Sequence, residues 1–442
     1  MSRFRELVFE PARRLAVARI TAALMLLAQL LVFRPIWLDR SFPLEPPTLP
    51  LFRWLPSLPE PIGTIVWALM IAGCVLAVIG VRARQAALGV AVGYALMAVF
   101  DQSRWQVHFL VGPMMLLLAT LPAPTERDAL RNVRLALAGI YFFAGVGKLN
   151  VCYAALVHPG MLQPLVERVP SFLGPVLLFP WLTPIVEMAV GVGAFAPGSW
   201  RTRRFVLAGA LGMHAFILTM LLCASHDLTV VPFNGGLAVL AFATLCDDAD
   251  PVSMARPARG TAGGRLAIAY GIVIPVLGTI GFADAYLAHA VYAGSESRIR
   301  WFASPAAAER LTKIAWPDGV LVDGQLPAGK VLPGMVPAGN GHMFSVPFHT
   351  LVTDRFAQGL MGEARIADRV KDRLCEYAAK EPTDIVVRFI GPAHPISGDR
   401  SYRDANCNES LGFWLRFGGF KTVVLGGDEP VYVYEQHGKP RF

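Results

Sequence analysis

The sequence predicts a mainly α-helical protein, in which a polytopic membrane bundle of about nine spans is followed by a small α+β extracytoplasmic domain. Of the 442 residues, 54% are hydrophobic and only 16% are charged, and the mean hydropathy is +0.48. Ordinary soluble domains are about half apolar and about a quarter charged. Nearly every long apolar run precedes Ala290, and the remainder has a soluble composition. We therefore predict a transmembrane domain at residues 1–292 and an aqueous domain at residues 293–442.

The membrane domain contains nine apolar segments that are candidate helices. Several are shorter than the roughly 20 residues that a straight span needs, so we expect their ends to borrow flanking residues. The segments are Leu15–Phe33, Ile62–Val81, Ala86–Phe100, Phe109–Leu121, Leu135–Leu149, Leu182–Phe195, Phe205–Cys223, Leu228–Cys246 and Leu266–Ala290.

The positive charges predict the orientation of the bundle. With the N-terminus inside, the inner segments hold fifteen Lys and Arg residues and the outer loops hold six. An excess of Lys and Arg marks the cytoplasmic side of a membrane protein. An odd number of spans then places the aqueous domain outside, which for the inner membrane of a bacterium is the periplasm.

The formal charge of +8 does not indicate a nucleic-acid-binding protein. Between Val291 and Phe442, 18 Lys and Arg residues are balanced by 17 Asp and Glu residues. The excess therefore lies in the membrane half, where it sets orientation and contacts lipid headgroups. We expect membrane lipid and a periplasmic protein or peptide as partners, and no nucleic acid.

The aqueous domain combines one helical pattern with several strand-like runs. Asp354–Lys380 has helical spacing, and the strand-like runs are Asp384–Ile390, Phe413–Phe417, Val423–Leu425 and Val431–Tyr434. The six cysteines form no CxxC and no Cys/His metal spacing, so we expect no metal site. Cys375 and Cys407 share this domain, where a disulfide and two free thiols are equally open.

A few titratable side chains fall inside the predicted spans, where an unpaired charge is costly and a functional role is the default hypothesis. Arg19 and Glu187 could form an ion pair that fixes helix packing. His214 is open between a structural and a functional role, and Asp284 is expected to be structural.

Lys148 and His108 occupy the outer ends of the fifth and fourth segments, and consecutive antiparallel helices would bring them together. Lys148 follows the aromatic and glycine-rich stretch Tyr141–Gly147, so we expect a poorly hydrated ammonium. Desolvation favours the neutral amine, the form that a general base needs. The alternative is that Lys148 extends to the headgroups as an anchor at the end of its helix.

Three stretches resemble the vitamin K-dependent gamma-carboxylase superfamily and its bacterial HTTM-like members. The stretch YFFAGVGKLN places Lys148 on the family's catalytic lysine. DQSRWQVHFL matches the family's spacing at Asp101, Trp105 and His108, and RRLAVARI matches its first helix at Arg19. The resemblance covers approximately residues 13–246. Val107 and Gly147 depart from it, since the family has asparagine and lysine there, and VCYAALVHPG replaces a tryptophan-containing segment.

The resemblance implies quinol-dependent carboxylase or oxygenase-type chemistry with a quinone of the reduced vitamin K or menaquinol type. Lys148 would be the base and His108 its partner, while Tyr141, Trp105, Asp101, His214 and Arg19 would line the pocket. The alternative is a non-catalytic membrane anchor or partner-binding component, which predicts a filled bundle with no cavity beside Lys148. A transporter that relays protons through Glu187, His214 and Asp284 is a third hypothesis, although no inverted repeat supports it.

Overall fold

The membrane half is a bundle of apolar helices. The computed structural model describes residues 10–38, 55, 58–151, 153–196, 199–224, 230–246, 260–279, 289, 298–315, 336–338, 343–346, 364–390, 400–409 and 421–423. Each of the nine predicted apolar segments overlaps a helix. The helices are α1 Pro11–Val32, α2 Arg34–Leu38, α3 Glu60–Ile79, α4 Ala83–Phe100, α5 Val107–Thr120, α6 Glu126–Gly147, α7 His158–Val166, α8 Gly174–Leu177, α9 Leu182–Phe195, α10 Trp200–Ala224, α11 Val231–Leu245 and α12 Ala262–Thr279.

Helix length and composition identify a membrane protein. Within the described residues, six helices are long and apolar enough to cross a bilayer. The count is seven if Ser171–Leu177 and α9, which are bent by 58° relative to each other, form one broken span. The apolar helices α5 and α11 are shorter. The predicted bundle of apolar helices is therefore confirmed, while a count of nine spans remains a prediction.

The helix ends follow local sequence signals. Thr125 precedes α6, and its hydroxyl accepts a hydrogen bond of 3.2 Å from the backbone N–H of Asp128, as expected of an N-cap residue. Gly80 ends α3 in the left-handed region with φ of 81°, a conformation that glycine adopts without steric cost. Pro11 and Pro61 lie in the first turns of α1 and α3, where their missing N–H leaves no helical bond unmade.

Buried polar contacts show that neighbouring helices run antiparallel. Arg14 near the start of α1 donates to the carbonyl of Ala243 near the end of α11, over 2.8 Å. Gln29 near the end of α1 donates to the carbonyl of His108 at the start of α5. A short turn joins α5 to α6, so these two helices run antiparallel. Lys148, which follows the end of α6, therefore lies at the same end of the bundle as His108.

Helices α6 and α9 approach closely through two glycines. A Cβ atom on Gly145 would lie 2.7 Å from the carbonyl oxygen of Pro184, and one on Gly191 would lie 2.6 Å from the backbone nitrogen of Phe142. Small residues let the backbones of membrane helices pack at such short range. The close approach aligns the C-terminal end of α6 with the N-terminal half of α9.

The C-terminal region contains an antiparallel sheet of six strands in the order β2-β3-β1-β4-β5-β6. Helices α13 (Pro305–Ala315) and α14 (Ala364–Ala378) pack against it. Trp301, Val387 and Phe389 are buried in the sheet, and Leu311, Val370 and Leu374 are buried on the helices. The strands are β1 Arg298–Ala303, β2 Val336–Ala338, β3 Met343–Val346, β4 Ile385–Ile390, β5 Arg400–Asn406 and β6 Lys421–Val423.

The sequence located part of this domain. The predicted helix Asp354–Lys380 is confirmed as α14 over its described part, and the strand Asp384–Ile390 is confirmed as β4. The run Val423–Leu425 overlaps β6 only at Val423, while Phe413–Phe417, Val431–Tyr434 and Asp284 lie outside the described residues.

A disulfide joins the helix and the sheet of this domain. Cys375 in α14 is bonded to Cys407, which directly follows β5, and their Cα atoms are 5.7 Å apart. Of the two alternatives that the sequence left open, the structure has the disulfide. The buried Lys371, one turn earlier in α14, donates to the carbonyl of Glu409 in the same loop. The two links hold α14 against the end of β5.

Candidate functional site

A cavity of about 110 Å³ lies beside Lys148, at the end of the bundle where α6 terminates. Its wall is mostly apolar, with side chains of α10 and α11 such as Met213, Phe216 and Phe233. Such a wall with a few convergent polar groups is typical of small-molecule sites. The polar residues that line it are Tyr141, Lys148, Tyr153, His158, Thr183, Glu187, His214, Asn234 and His289.

A buried ion pair lies in the cavity wall. Lys148 Nζ donates to Glu187 Oε1 over 2.8 Å and to Oε2 over 2.7 Å, and the two residues are 8% and 5% exposed. The alternative that Lys148 extends to the headgroups is therefore wrong. The suggested pairing of Arg19 with Glu187 is also wrong, because Glu187 binds Lys148, and the Arg19 guanidinium lies beside Gly80. An ammonium has three N–H donors, so one N–H of Lys148 remains for a ligand.

A second polar unit links Tyr141, His214 and Asn234. The hydroxyl of Tyr141 lies 2.8 Å from His214 Nε2, and His214 Nδ1 lies 3.2 Å from Asn234 Oδ1. The amide nitrogen of Asn234 donates to the carbonyl of Val230 over 2.9 Å. All three side chains are buried. Helices α6, α10 and α11 each contribute one member, so the unit depends on the packing of all three.

A third polar unit lies on the segment that follows α6. Tyr153 belongs to a π-helical turn, Tyr153–Val157, and its hydroxyl lies 3.3 Å from His158 Nδ1. The Nε2 atom of His158 lies 2.9 Å from the carbonyl oxygen of Leu177. Tyr153 also forms a side-chain hydrogen bond with Thr183. The unit anchors the segment between α6 and α9 over the cavity.

The structure does not place all the predicted site residues together. Tyr141, Lys148 and His214 line the cavity, whereas Asp101, Trp105, His108 and Arg19 are not among its lining residues. The hydrogen-bond partner of Lys148 is Glu187 rather than His108.

The upstream motif residues instead shape the turn between α4 and α5. Asp101 lies 3.5 Å from the guanidinium of the fully buried Arg104. The indole of Trp105 donates to the carbonyl of Ala98 over 2.8 Å. The ring of His108 packs against Phe109, and the neighbouring Val107 does line the cavity. The motif therefore sets the conformation of the segment that places Val107 in the cavity wall.

Six further polar residues line the cavity, and the sequence assigned no function to five of them: Tyr153, His158, Thr183, Asn234 and His289. Glu187 was interpreted as structural, or as a proton relay in the transporter hypothesis, and its charge inside a span was the right signal. Tyr153 and His158 lie in VCYAALVHPG, the stretch that departs from the family pattern. Asn234 is an uncharged polar residue within an apolar helix, which is a weak signal. In the described part of the chain, no group of three His, Cys, Asp or Glu side chains could hold a metal ion.

Comparison with known proteins identifies the first part of the bundle. No curated protein and no solved structure matches the chain. Residues 9–132 match the model of the HTTM domain family. The match runs from the start of α1 into α6 and ends before Lys148. It includes Arg19, Asp101, Trp105 and His108, so the predicted resemblance is confirmed over this part of the chain, where residues 9–132 are similar to the HTTM domain family.

Proposed function

We propose that the protein is an integral membrane enzyme that binds an apolar ring with hydroxyl groups in the Lys148 cavity and removes a hydroxyl proton. The overall reaction would be quinol-dependent carboxylase or oxygenase-type chemistry. The observation that carries the proposal is a buried lysine–carboxylate pair that faces a mostly apolar cavity. Buried ionisable pairs in clefts are candidates for acid–base function.

Glu187 gives Lys148 a route to its basic form. Transfer of one proton from the ammonium to the carboxylate yields a neutral amine and a neutral carboxylic acid. This form buries no charge, which suits an apolar cavity. The amine then accepts the proton of a ring hydroxyl, and the ammonium that results lies beside the new oxyanion and stabilises it.

The substrate that fits this wall is a quinone of the reduced vitamin K or menaquinol type. Its ring and its isoprenoid chain are apolar, as are most of the lining side chains. Its hydroxyl groups match polar groups of the wall such as Lys148, Glu187 and Tyr141. A lipid-soluble substrate is also available to a protein of this composition directly from the bilayer.

The test is oxygen-dependent oxidation of reduced naphthoquinone by the purified protein in lipid, compared with Lys148→Arg and Lys148→Ala. Arginine can retain the ion pair but is not deprotonated in proteins. We expect turnover by the wild type and a loss of at least about 100-fold in both variants. Equal turnover by the wild type and Lys148→Arg would refute the assignment of the base.

The alternative, a non-catalytic anchor or partner-binding component, predicts a bundle that is filled beside Lys148. The cavity there favours the enzyme. Absence of turnover and of ring binding by a folded wild-type protein would reverse this preference.

The proposed topology has nine spans, a cytoplasmic N-terminus and a C-terminal domain in the periplasm of a bacterial inner membrane. Two features support it: the excess of Lys and Arg in the inner segments, and the Cys375–Cys407 disulfide, a bond typical of oxidising compartments. The outer domain then presents its sheet to a periplasmic protein or peptide. Alkaline phosphatase fused after residue 292 should be active. An inactive fusion there, together with an active fusion after residue 125, would show that the topology is the reverse of the proposed one.

A further inference from the structure

The hydrogen bonds of the cavity fix which atoms its tyrosines can offer to a ligand. Asn234 donates through Nδ2 to the carbonyl of Val230, so its Oδ1 is left to accept from His214 Nδ1–H. Both partners of His214 are uncharged, and a charged ring here would be buried without a counter-ion, which is costly. The ring is therefore neutral, with its proton on Nδ1. Its Nε2 can only accept, and the proton of the Tyr141 hydroxyl is committed to it.

The hydroxyl of Tyr153, like that of Tyr141, donates its proton to a histidine. A carbonyl cannot donate, so His158 Nε2 carries the proton that bonds to Leu177. Burial lowers the pKa of His158, against a smaller opposing effect of the bond to Leu177, so the ring is neutral near pH 7. Its Nδ1 then accepts the proton of the Tyr153 hydroxyl. Neither tyrosine on the wall thus offers a proton to a ligand, and the Tyr153 oxygen already accepts from the hydroxyl of Thr183.

The Lys148–Glu187 pair differs from the tyrosines because it serves either kind of ligand group. Its remaining N–H can donate to a carbonyl oxygen, and its carboxylate oxygens have lone pairs that can accept from a hydroxyl. The pair therefore cannot tell a ring hydroxyl from a ring carbonyl. Discrimination falls to Tyr141, the polar residue that α6 contributes to the cavity wall, which lies seven residues before Lys148, or roughly 10 Å along the helix axis.

We infer that Tyr141, held by His214 and Asn234, makes the cavity selective for a ring whose second oxygen is a hydroxyl rather than a carbonyl, which for a quinone means the reduced form. The inference rests on the proposed function for its ligand class and adds the selection of redox state. A ring hydroxyl donates to the Tyr141 oxygen, whereas a ring carbonyl faces it lone pair to lone pair. His214 and Asn234 are positioning residues, since they act through Tyr141.

The test is the ratio of the dissociation constants of menadione and of its reduced form, measured without oxygen so that no turnover occurs. We expect the wild type in lipid to bind the reduced form about tenfold more tightly, because an unmatched buried acceptor costs that much or more. Tyr141→Phe removes the oxygen, and His214→Phe frees the Tyr141 proton to serve a carbonyl. Either variant should bring the ratio within about twofold of unity.

Tyr94→Phe is the matched control, because it removes a buried tyrosine hydroxyl that bonds to the carbonyl of Arg104 and does not line the cavity, and it should keep the preference. A pair of the same oxidation state, 1,4-dihydroxynaphthalene and 4-methoxy-1-naphthol, should give the same order in the absence of oxygen, since the methoxy oxygen can only accept. If His214→Phe does not fold, Tyr141→Phe carries the test.

Equal binding of the two forms by the wild type would overturn the selectivity and leave the proposed function in place. A preference that persists in the folded Tyr141→Phe variant would overturn the role of the three residues. Binding of neither form would overturn the selectivity together with the proposed function.

Discussion

Lys148 and Glu187 are mutually dependent because each is buried against the other's charge. Removing one partner of a buried pair leaves the other charge buried and unpaired, which typically lowers the free energy of unfolding by about 3–5 kcal/mol. Replacing both partners by apolar side chains often leaves stability unchanged. We therefore expect Glu187→Gln to lower the free energy of unfolding by about 3 kcal/mol and to abolish turnover.

The double variant Lys148→Met, Glu187→Met separates these two effects. It should regain most of the stability without regaining turnover, as measured by thermal unfolding in lipid and by quinol oxidation. Equal stability of Glu187→Gln and the wild type would contradict a buried ion pair at this position.

For single residues, the sequence predicted which side chains line the cavity better than it predicted their hydrogen-bond partners. Lys148, Tyr141 and His214 were recognised from a titratable or motif side chain in an apolar segment, and all three line the cavity. The partner of Lys148 was missed because pairing across helices depends on their relative register. That register is fixed by the contacts of Gly145 and Gly191, which no spacing along one helix reveals.

The element that positions the ion pair is the α6–α9 contact. A leucine at Gly191 would meet the backbone of Phe142 and must force the two helices apart. We expect Gly191→Leu to destabilise the bundle by about 1–3 kcal/mol or more, the usual cost of overpacking, and to weaken ring binding.

The matched control is Gly89→Leu. A Cβ there meets no atom within 4 Å, and the position is exposed on an apolar helix. Thermal unfolding and ring binding should both stay near the wild type in this variant. Equal effects of the two substitutions would contradict a specific close contact between α6 and α9.

In the C-terminal domain, Asp384 connects the start of α13 to the turn before β4. Burial would raise the pKa of this carboxyl, but hydrogen bonds from Ser304 and from the backbone of Lys380 and Glu381, together with the charge of Arg310, lower it to about 2. The unfolded value is about 4. The stabilisation is therefore present above about pH 4 and is lost as the pH falls through about 2.

Hydrogen exchange of β4 measures this dependence. Between pH 5 and pH 2, after correction for intrinsic exchange rates, protection of β4 should fall more in the wild type than in Asp384→Asn, which has no charge to lose. The difference between the two proteins at pH 5 should be about 1–2 kcal/mol. Parallel pH profiles would contradict the role of the carboxylate.

The sequence predicted the elements of the membrane half better than those of the sheet. Long apolar runs fix a helix in lipid because every backbone polar group must be satisfied within the segment. The strands are short, and they combine charged and apolar residues. In β1, RIRWFA puts Arg300 opposite Arg388 of β4 while Trp301 is buried, and such pairing across 88 residues is invisible to local periodicity.

At the scale of the whole molecule, the disulfide is the covalent constraint on the C-terminal domain. It closes a loop of 32 residues between α14 and the end of β5. Removing a native disulfide from a small domain typically costs about 2–5 kcal/mol. We expect Cys407→Ser to make the C-terminal domain more sensitive to trypsin while the membrane helices stay protected by lipid. Unchanged cleavage of the domain would contradict the constraint.

The central claim, that the Lys148–Glu187 pair removes a hydroxyl proton, is tested most directly by the absorbance of bound 1-naphthol without oxygen. The probe cannot turn over there, and its neutral and ionised forms absorb at different wavelengths. We predict the naphtholate band in the wild type and the neutral band in Lys148→Arg, with both proteins folded and saturated. Neutral naphthol bound to the wild type, or naphtholate bound equally to both proteins, would contradict the assignment of Lys148 as the base.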